Sequence, residues 1–231
     1  MSQTNAFETG MLALYFQNSS FGPIGDATGL RGSTVAGNLY ISLHTAFPGE
    51  AGDQTTSEAA YTGYARQAVA RSAGGWTVSG NSAVNAAVIT YPACIGGTET
   101  EFYFGIGSAV AGAGTLDHWG ILGTNLGAFA CNDTSTENIT IPAHGLSVDD
   151  RVSFFPEASE LGLPTGITAG TVYFVKTVTD TDRIILSTTS GGAAVNITAV
   201  GRGVAFKNIG LAVSNGITPK FASSALSVLS Y

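Results

Sequence analysis

The apolar positions of this chain fall into two regimes, a short stretch at helical spacing followed by a long series at strand spacing. Between residues 5 and 17, Phe7, Met11, Leu14 and Tyr15 recur at intervals of four, three and one, the period of a single helix face. Asn5 stands at a capping position and Glu8 lies three residues on, as in a capping box. One helix is predicted over residues 5–17, with Gly22 and Gly25 in the break that follows. Its apolar face, with Phe7, Met11 and Tyr15, would dock on the domain behind it or on a neighbouring subunit.

From Leu39 onward the period becomes two. Leu39-Tyr40-Ile41-Ser42-Leu43-His44 reads as a strand with Leu39, Ile41 and Leu43 on one face. Strands are predicted over 65–71 and 76–79, joined at Gly74-Gly75, and over 87–91, 100–106 and 118–122. Short strands with turn signals every ~10 residues predict a sandwich or jelly roll. Near Thr124 the character shifts. Strands at 139–141, 151–155, 171–178 and 183–187 suggest a compact barrel, with Asp180-Thr181-Asp182 as a hairpin turn between the last two. After Lys207 the earlier Ala/Ser/Gly-rich style returns. The expected architecture is therefore all-β: a sandwich or jelly-roll-like host domain with one short N-terminal helix (residues 1–124 and 207–231), and an inserted small β-barrel-like module (residues 125–206).

Composition supports that reading. Hydrophobic residues make up 44% and charged residues 11% of the 231, the opposite of a disordered chain. Glycine, at 31 copies, and abundant Thr and Ser favour turns and strands over helices. The net charge is −7, and the nine cations are scattered from Arg31 to Lys220. A phosphate backbone needs clustered Lys and Arg, so nucleic acid is not an expected partner. No apolar run approaches the ~20 residues of a membrane helix, so no membrane partner is expected. Cys94 and Cys131 show no metal spacing and are expected to be buried, reduced thiols.

Candidate chemistry is sparse. The three histidines, His44, His118 and His144, have no HxH or HxxxH spacing, and each is read as structural or surface. Asp117-His118 cannot form a triad fragment on one face, because adjacent strand residues point opposite ways. Glu99 and Glu101 share a strand face, and two such carboxylates are the minimum set of a glycosidase. The preferred reading of the pair is a solvated edge face. Asp180-Thr181-Asp182 lacks the glycine and terminal glutamate of a calcium loop. Trp76 and Trp119 are read as core anchors, one per sheet. No catalytic, cofactor-binding or metal residue is assigned, no cofactor is expected, and the chain is not read as an enzyme.

Several joined motifs carry a resemblance. Leu39-Tyr40-Ile41-Ser42-Leu43-His44-Thr45-Ala46 is followed by Pro48-Gly49-Glu50-Ala51-Gly52, Glu58-Ala59-Ala60-Tyr61, Tyr64-Ala65-Arg66 and Gly75-Trp76-Thr77-Val78. With the closing Ser214-Asn215-Gly216-Ile217-Thr218-Pro219, this resembles a family of small tailed-phage virion proteins labelled tail fibre, virion structural or capsid decoration proteins. A second series, Ile141-Pro142-Ala143-His144-Gly145-Leu146, Asp150-Arg151-Val152 and Ala169-Gly170-Thr171-Val172-Tyr173-Phe174-Val175, is similar to a small β module of phage fibre and baseplate proteins.

The resemblance implies a structural subunit on the virion exterior, assembled in the host bacterial cytoplasm. The preferred reading is a capsid decoration (cement) subunit, a homotrimer bound to the major capsid protein lattice. Phe7, Met11 and Tyr15 would make lattice or self-association contacts, and His144, Asp149, Asp180 and Asp182 would stand at turns of the projecting module. The alternative is a tail fibre or tail-tip protein that recognises a host surface receptor. The absence of repeats and heptads tilts the choice toward decoration. An outsider is a polysaccharide depolymerase using Glu99 and Glu101.

Overall fold

The computed structural model describes residues 3–22, 24–25, 28–157 and 162–229. One helix, α1 (Asn5–Gln17), precedes the strands β1 (Asn38–His44), β2 (Gln67–Ala70), β3 (Trp76–Ser79), β4 (Ser82–Asn85), β5 (Ile89–Thr90), β6 (Thr98–Glu101), β7 (Tyr103–Gly107) and β8 (Leu116–Ile121). There follow β9 (Gly123–Cys131), β10 (Ile139–Thr140), β11 (Arg151–Phe155), β12 (Tyr173–Val178), β13 (Arg183–Ser187), β14 (Gly201–Asn208), β15 (Leu211–Ser214), β16 (Lys220–Phe221) and β17 (Ser227–Leu229). The all-β class, the N-terminal helix and a closed six-stranded barrel are all present.

The helix has the expected span but a different cap and a different buried face. Thr4, in extended conformation, is the N-cap; its carbonyl accepts the Glu8 N–H at 3.0 Å, and no side chain caps the helix. Asn5 is already helical. The buried stripe is Glu8, Leu12 and Phe16, while Phe7 and Met11 stay 38% and 37% exposed. A glutamate in the stripe hid it from a pattern search, because i, i+4, i+8 reads as apolar only at its last two positions. Phe16 packs on Trp76 with ring centroids 4.6 Å apart, which seats α1 on β3 and β4. At the C-terminus, Asn18 adopts the left-handed conformation, and Arg71 donates to the carbonyls of Tyr15 (2.7 Å) and Leu14 (2.9 Å). A guanidinium on those last carbonyls satisfies orphan acceptors and opposes the negative end of the helix dipole.

The first core joins a four-stranded antiparallel sheet, in the order β2-β1-β7-β8, to three small sheets, β17-β4-β3, β16-β5 and β15-β6. Leu39, Ile41, Leu43, Phe104 and Ile106 from the large sheet meet Trp76, Ala83, Ile89 and Val213 from the small ones, with Leu12 and Phe16 closing one side. Two expected connections differ. β2 and β3 do not pair: β2 adds to β1, whereas β3 turns at Gly80-Asn81 into β4. The stretch 100–106 is two strands, since β6 pairs with β15 and β7 with β1 and β8. Phe102 marks the switch between sheets, its N–H donating to His44 O at 3.0 Å.

The resembling motifs of the first unit are structural joints. Arg66 forks onto Glu58 (Nε–Oε1 2.6 Å, Nη2–Oε2 2.8 Å) and reaches the carbonyls of Ala109 and Gly112. Tyr64 donates to the same carboxylate at 3.0 Å. His44 is fully buried, between Ser42 Oγ and Thr56 O, both at 2.8 Å.

The second core fills the barrel, whose antiparallel strands close in the order β10-β13-β12-β11-β14-β9. Phe129, Ile139, Val152, Phe154, Val175, Ile184 and Leu186 are its centre. β9 and β14 pair along their whole length, from Gly123↔Asn208 to Cys131↔Gly201, so the chain enters and leaves the barrel through adjacent strands. Leu122 O accepts the N–H groups of Ile209 and Gly210, tying the two connections together where they leave the first unit. The cysteines are free and buried, Cys94 in the first core and Cys131 in the second.

Candidate interaction sites

An aromatic seam joins the barrel to the first unit. Phe47, in the loop after β1, lies 4.6 Å from Trp119 of β8 and 5.2 Å from Phe155 of β11, centroid to centroid. Trp119 and Phe155 stack at 5.0 Å with an interplanar angle of 29°. Tyr103, fully buried, donates its hydroxyl to Gly170 O at 2.8 Å. Gly170 has φ +69°, and a Cβ there would run into the Phe47 ring, so both its backbone conformation and the close approach require glycine. Beside the seam, the Arg151 guanidinium lies 5.4 Å from the Phe102 ring centroid and 5.6 Å from that of Phe174. Trp119 is therefore a half-buried bridge rather than the core anchor expected of it, and its Nε1 donates to Glu50 at 3.2 Å. Trp76 does anchor a core, fully buried in the first unit.

Next to the seam runs a groove of about 740 Å³, between β8, the last strand of the large sheet, and β17, the last strand of its own sheet. Leu116 to Ile121 form one wall, Ser227 to Leu229 the other, and Phe104 lies in the floor. The Leu122 N–H donates to Phe102 O across the β7–β8 ladder at 2.8 Å. Strand alternation then turns the backbone N–H and C=O of Trp119 and Ile121 away from β7 and into the groove. On the opposite wall the Leu226 carbonyl accepts the Asn85 N–H at 3.2 Å, which turns the backbone groups of Ser227 and Leu229 outward. A Cβ on Gly120 would strike the Phe104 ring, so glycine lets that ring close the floor. Among the described residues, the charged ones of the lining are Glu50 and Asp117, both acidic.

The residues singled out from the sequence are dispersed. Phe7 and Met11 present an apolar strip on α1, with Phe7 edge-on to Phe21 at 5.6 Å. Tyr15 belongs elsewhere: its hydroxyl donates to Asp117 Oδ2 at 2.6 Å and its ring lies 5.0 Å from His118. In the barrel, His144 is buried, so its ring is not displayed at a projecting turn. Its Nδ1 accepts the Leu146 N–H at 2.9 Å and its Nε2 faces Asp180 O at 3.2 Å. Asp182 accepts the Ala143 N–H at 2.7 Å, so the Asp180–Asp182 hairpin and the 142–146 turn pack as one corner. Asp149 is separate, accepting from Ser190 Oγ at 2.7 Å. Among the described residues no group of three or more His, Cys, Asp or Glu is placed to hold a metal ion.

Glu99 and Glu101 overturn the solvated-edge expectation. Glu101 is fully buried, and burial beside the Glu99 carboxylate pushes its carboxyl up to about 8. Glu99 is itself occupied, accepting the N–H groups of Ala60 (3.0 Å) and Tyr61 (2.8 Å). Glu99 thus holds the 60–61 loop against β6, and the buried Glu101 does not face an open cleft. The seam residues Phe47, Phe102, Tyr103, Phe155 and Gly170 were missed because they lie in short aromatic-rich stretches whose partners are distant in sequence. The signal available was the aromatic run Phe102-Tyr103-Phe104 and the pair Phe154-Phe155.

A family model described as podophage GP4 fiber I protein gp80 matches residues 27–147, from before β1 through β9 and β10 of the barrel to the turn before β11. No curated protein matches the chain.

Proposed function

Because this chain belongs to the podophage GP4 fiber I protein gp80 family, a family of phage virion structural proteins, we propose that it is a fibre-type subunit on the virion exterior. In this reading the first unit is the attachment base. The barrel, taken as an inserted module over residues 125–206, projects toward the host surface. The family match carries the proposal. The architecture supports it: a barrel with its own core leaves the base through two adjacent strands and packs on it through the Phe47–Trp119–Phe155 stack. Residues for contact with a host receptor would then lie at the barrel end away from Gly123 and Asn208. Self-association as a trimer would use the exposed Phe7–Met11 strip.

A second reading, capsid decoration, is favoured by the acidic net charge of −7 and the exposed apolar strip on α1, which would suit a repeating outer lattice. A depolymerase has lost its motivating pair, since Glu101 is buried. Quantitative mass spectrometry of purified virions against the major capsid protein separates the two structural readings. A small fixed count set by tail symmetry supports the fibre; a simple fraction of the capsid copy number would overturn it in favour of decoration.

A further inference from the structure

The groove between β8 and β17 is walled by the edges of two strands, and we propose that it receives an extended, basic, alternately apolar segment of a different virion polypeptide. The inference rests on the virion-subunit reading above and names the partner chemistry of one surface.

Three observations lead there. First, both walls are strand edges: Trp119 and Ile121 on one side, Ser227 and Leu229 on the other, present backbone donors and acceptors that the ladders to β7 and β4 do not use. An added strand satisfies such groups, the mode of recognition known as β-augmentation. Second, the floor is apolar. Phe104 and Val228 line it, and Leu229 is 49% exposed beside it, so alternate side chains of an incoming strand would meet hydrophobic surface. Third, charge complementarity sets the sign of the partner. Among the described residues, Glu50 and Asp117 are the charged ones of the lining and neither forms a salt bridge; Glu50 accepts from Trp119 and Asp117 from Tyr15.

A second copy of this chain is a poor donor. Its four-residue strands with an open edge, β2, β3, β6 and β15, contain no Lys or Arg, and β6 carries two glutamates. Of the chain's cations, Arg66, Arg71, Arg183 and Lys207 are engaged within the chain, Arg151, Lys176 and Arg202 lie in barrel strands paired on both sides, and Arg31 and Lys220 lie outside any strand longer than two residues. The fitting occupant is therefore another protein's strand.

The test uses the full chain and two synthetic peptides, each with valine and threonine alternating, one flanked by lysines and the other by glutamates. Trp119 fluorescence reports on the groove, since Trp76 is fully buried. The lysine peptide should bind saturably, at least about tenfold more tightly than the glutamate peptide. Glu50→Lys, at an exposed position, should erase that preference. Ile121→Pro should abolish binding, because it removes an N–H aimed into the groove and spares the ladder to β7. Equal binding of both peptides, or binding by neither, overturns the inference. So does concentration-dependent self-association in sedimentation that Ile121→Pro abolishes, which would make the occupant a second copy. A chain absent from purified virions would instead overturn the virion reading itself.

Discussion

Tyr103 of the large sheet donates its hydroxyl to the carbonyl of Gly170 in the barrel, across 67 positions of sequence, at 2.8 Å and out of contact with water. This bond ties the large sheet of the first unit to a loop of the barrel. Tyr103→Phe removes it and leaves a buried carbonyl unpaired, an expected loss of about 1–3 kcal/mol in urea unfolding. Gly170→Val should cost more, since a branched side chain there meets both a positive φ and the Phe47 ring. Limited proteolysis should then cut first at the connections around Leu122 and Ile209.

Glu101 gives the protein an alkaline limb. Its carboxyl is raised from the ordinary 4.5 to about 8 in the folded chain, so the folded state holds a proton that the unfolded state releases. The stability this contributes is complete below about pH 4.5 and is lost as pH climbs through about 8. Thermal melts across this window should show a falling Tm for the parent, and Glu101→Gln should flatten that fall. A parent profile identical to the variant's would refute the assignment.

On the acid side His44 and His118 act in the opposite sense. Burial lowers both imidazoles from 6.5, with Thr56 and Glu58 opposing the shift at His44 and Asp117 opposing it at His118. The folded state keeps them neutral, so their contribution is present above the ordinary value and is lost as pH falls. A slow hydrogen-exchange signal for the His44 ring N–H at pH 7, vanishing on acidification together with tertiary structure, is the expected signature.

Arg66 and Glu58 form a bidentate pair with side-chain exposures of 2% and 17%. Arg66→Ala leaves a largely buried carboxylate without its partner, and the expected loss is about 3–5 kcal/mol by denaturant unfolding. Arg66→Lys should recover part of it, because an ammonium cannot make the two parallel bonds.

The sequence revealed what depends on local periodicity. The helix limits, β1, β11 and β13, and the Asp180–Asp182 turn follow from side-chain spacing, and each lies where the spacing put it. It hid what depends on partners. Glu8 sits in the buried helix stripe because α1 lies on β3 and β4, a tertiary fact that no helical pattern encodes. The break between β6 and β7 is invisible because alternation continues through Phe102 while the hydrogen-bonding partner changes. Glu101 looked solvated for the same reason: a strand face says which residues point together, not whether another sheet covers them. Trp119 and Phe155, 36 positions apart, became a site only when the barrel folded back onto β8.

The side-by-side legs β9 and β14 also decide how the molecule bears mechanical load. A tug on the far end of the barrel pulls both legs in one direction, away from Leu122, so neither slides past the other. Tension is shared by two covalent backbones, and the ladder from Gly123↔Asn208 to Cys131↔Gly201 is neither sheared nor unzipped. Such a pull loads the seam directly, through the Phe47 stack and the Tyr103–Gly170 bond, while the two legs keep the barrel tethered.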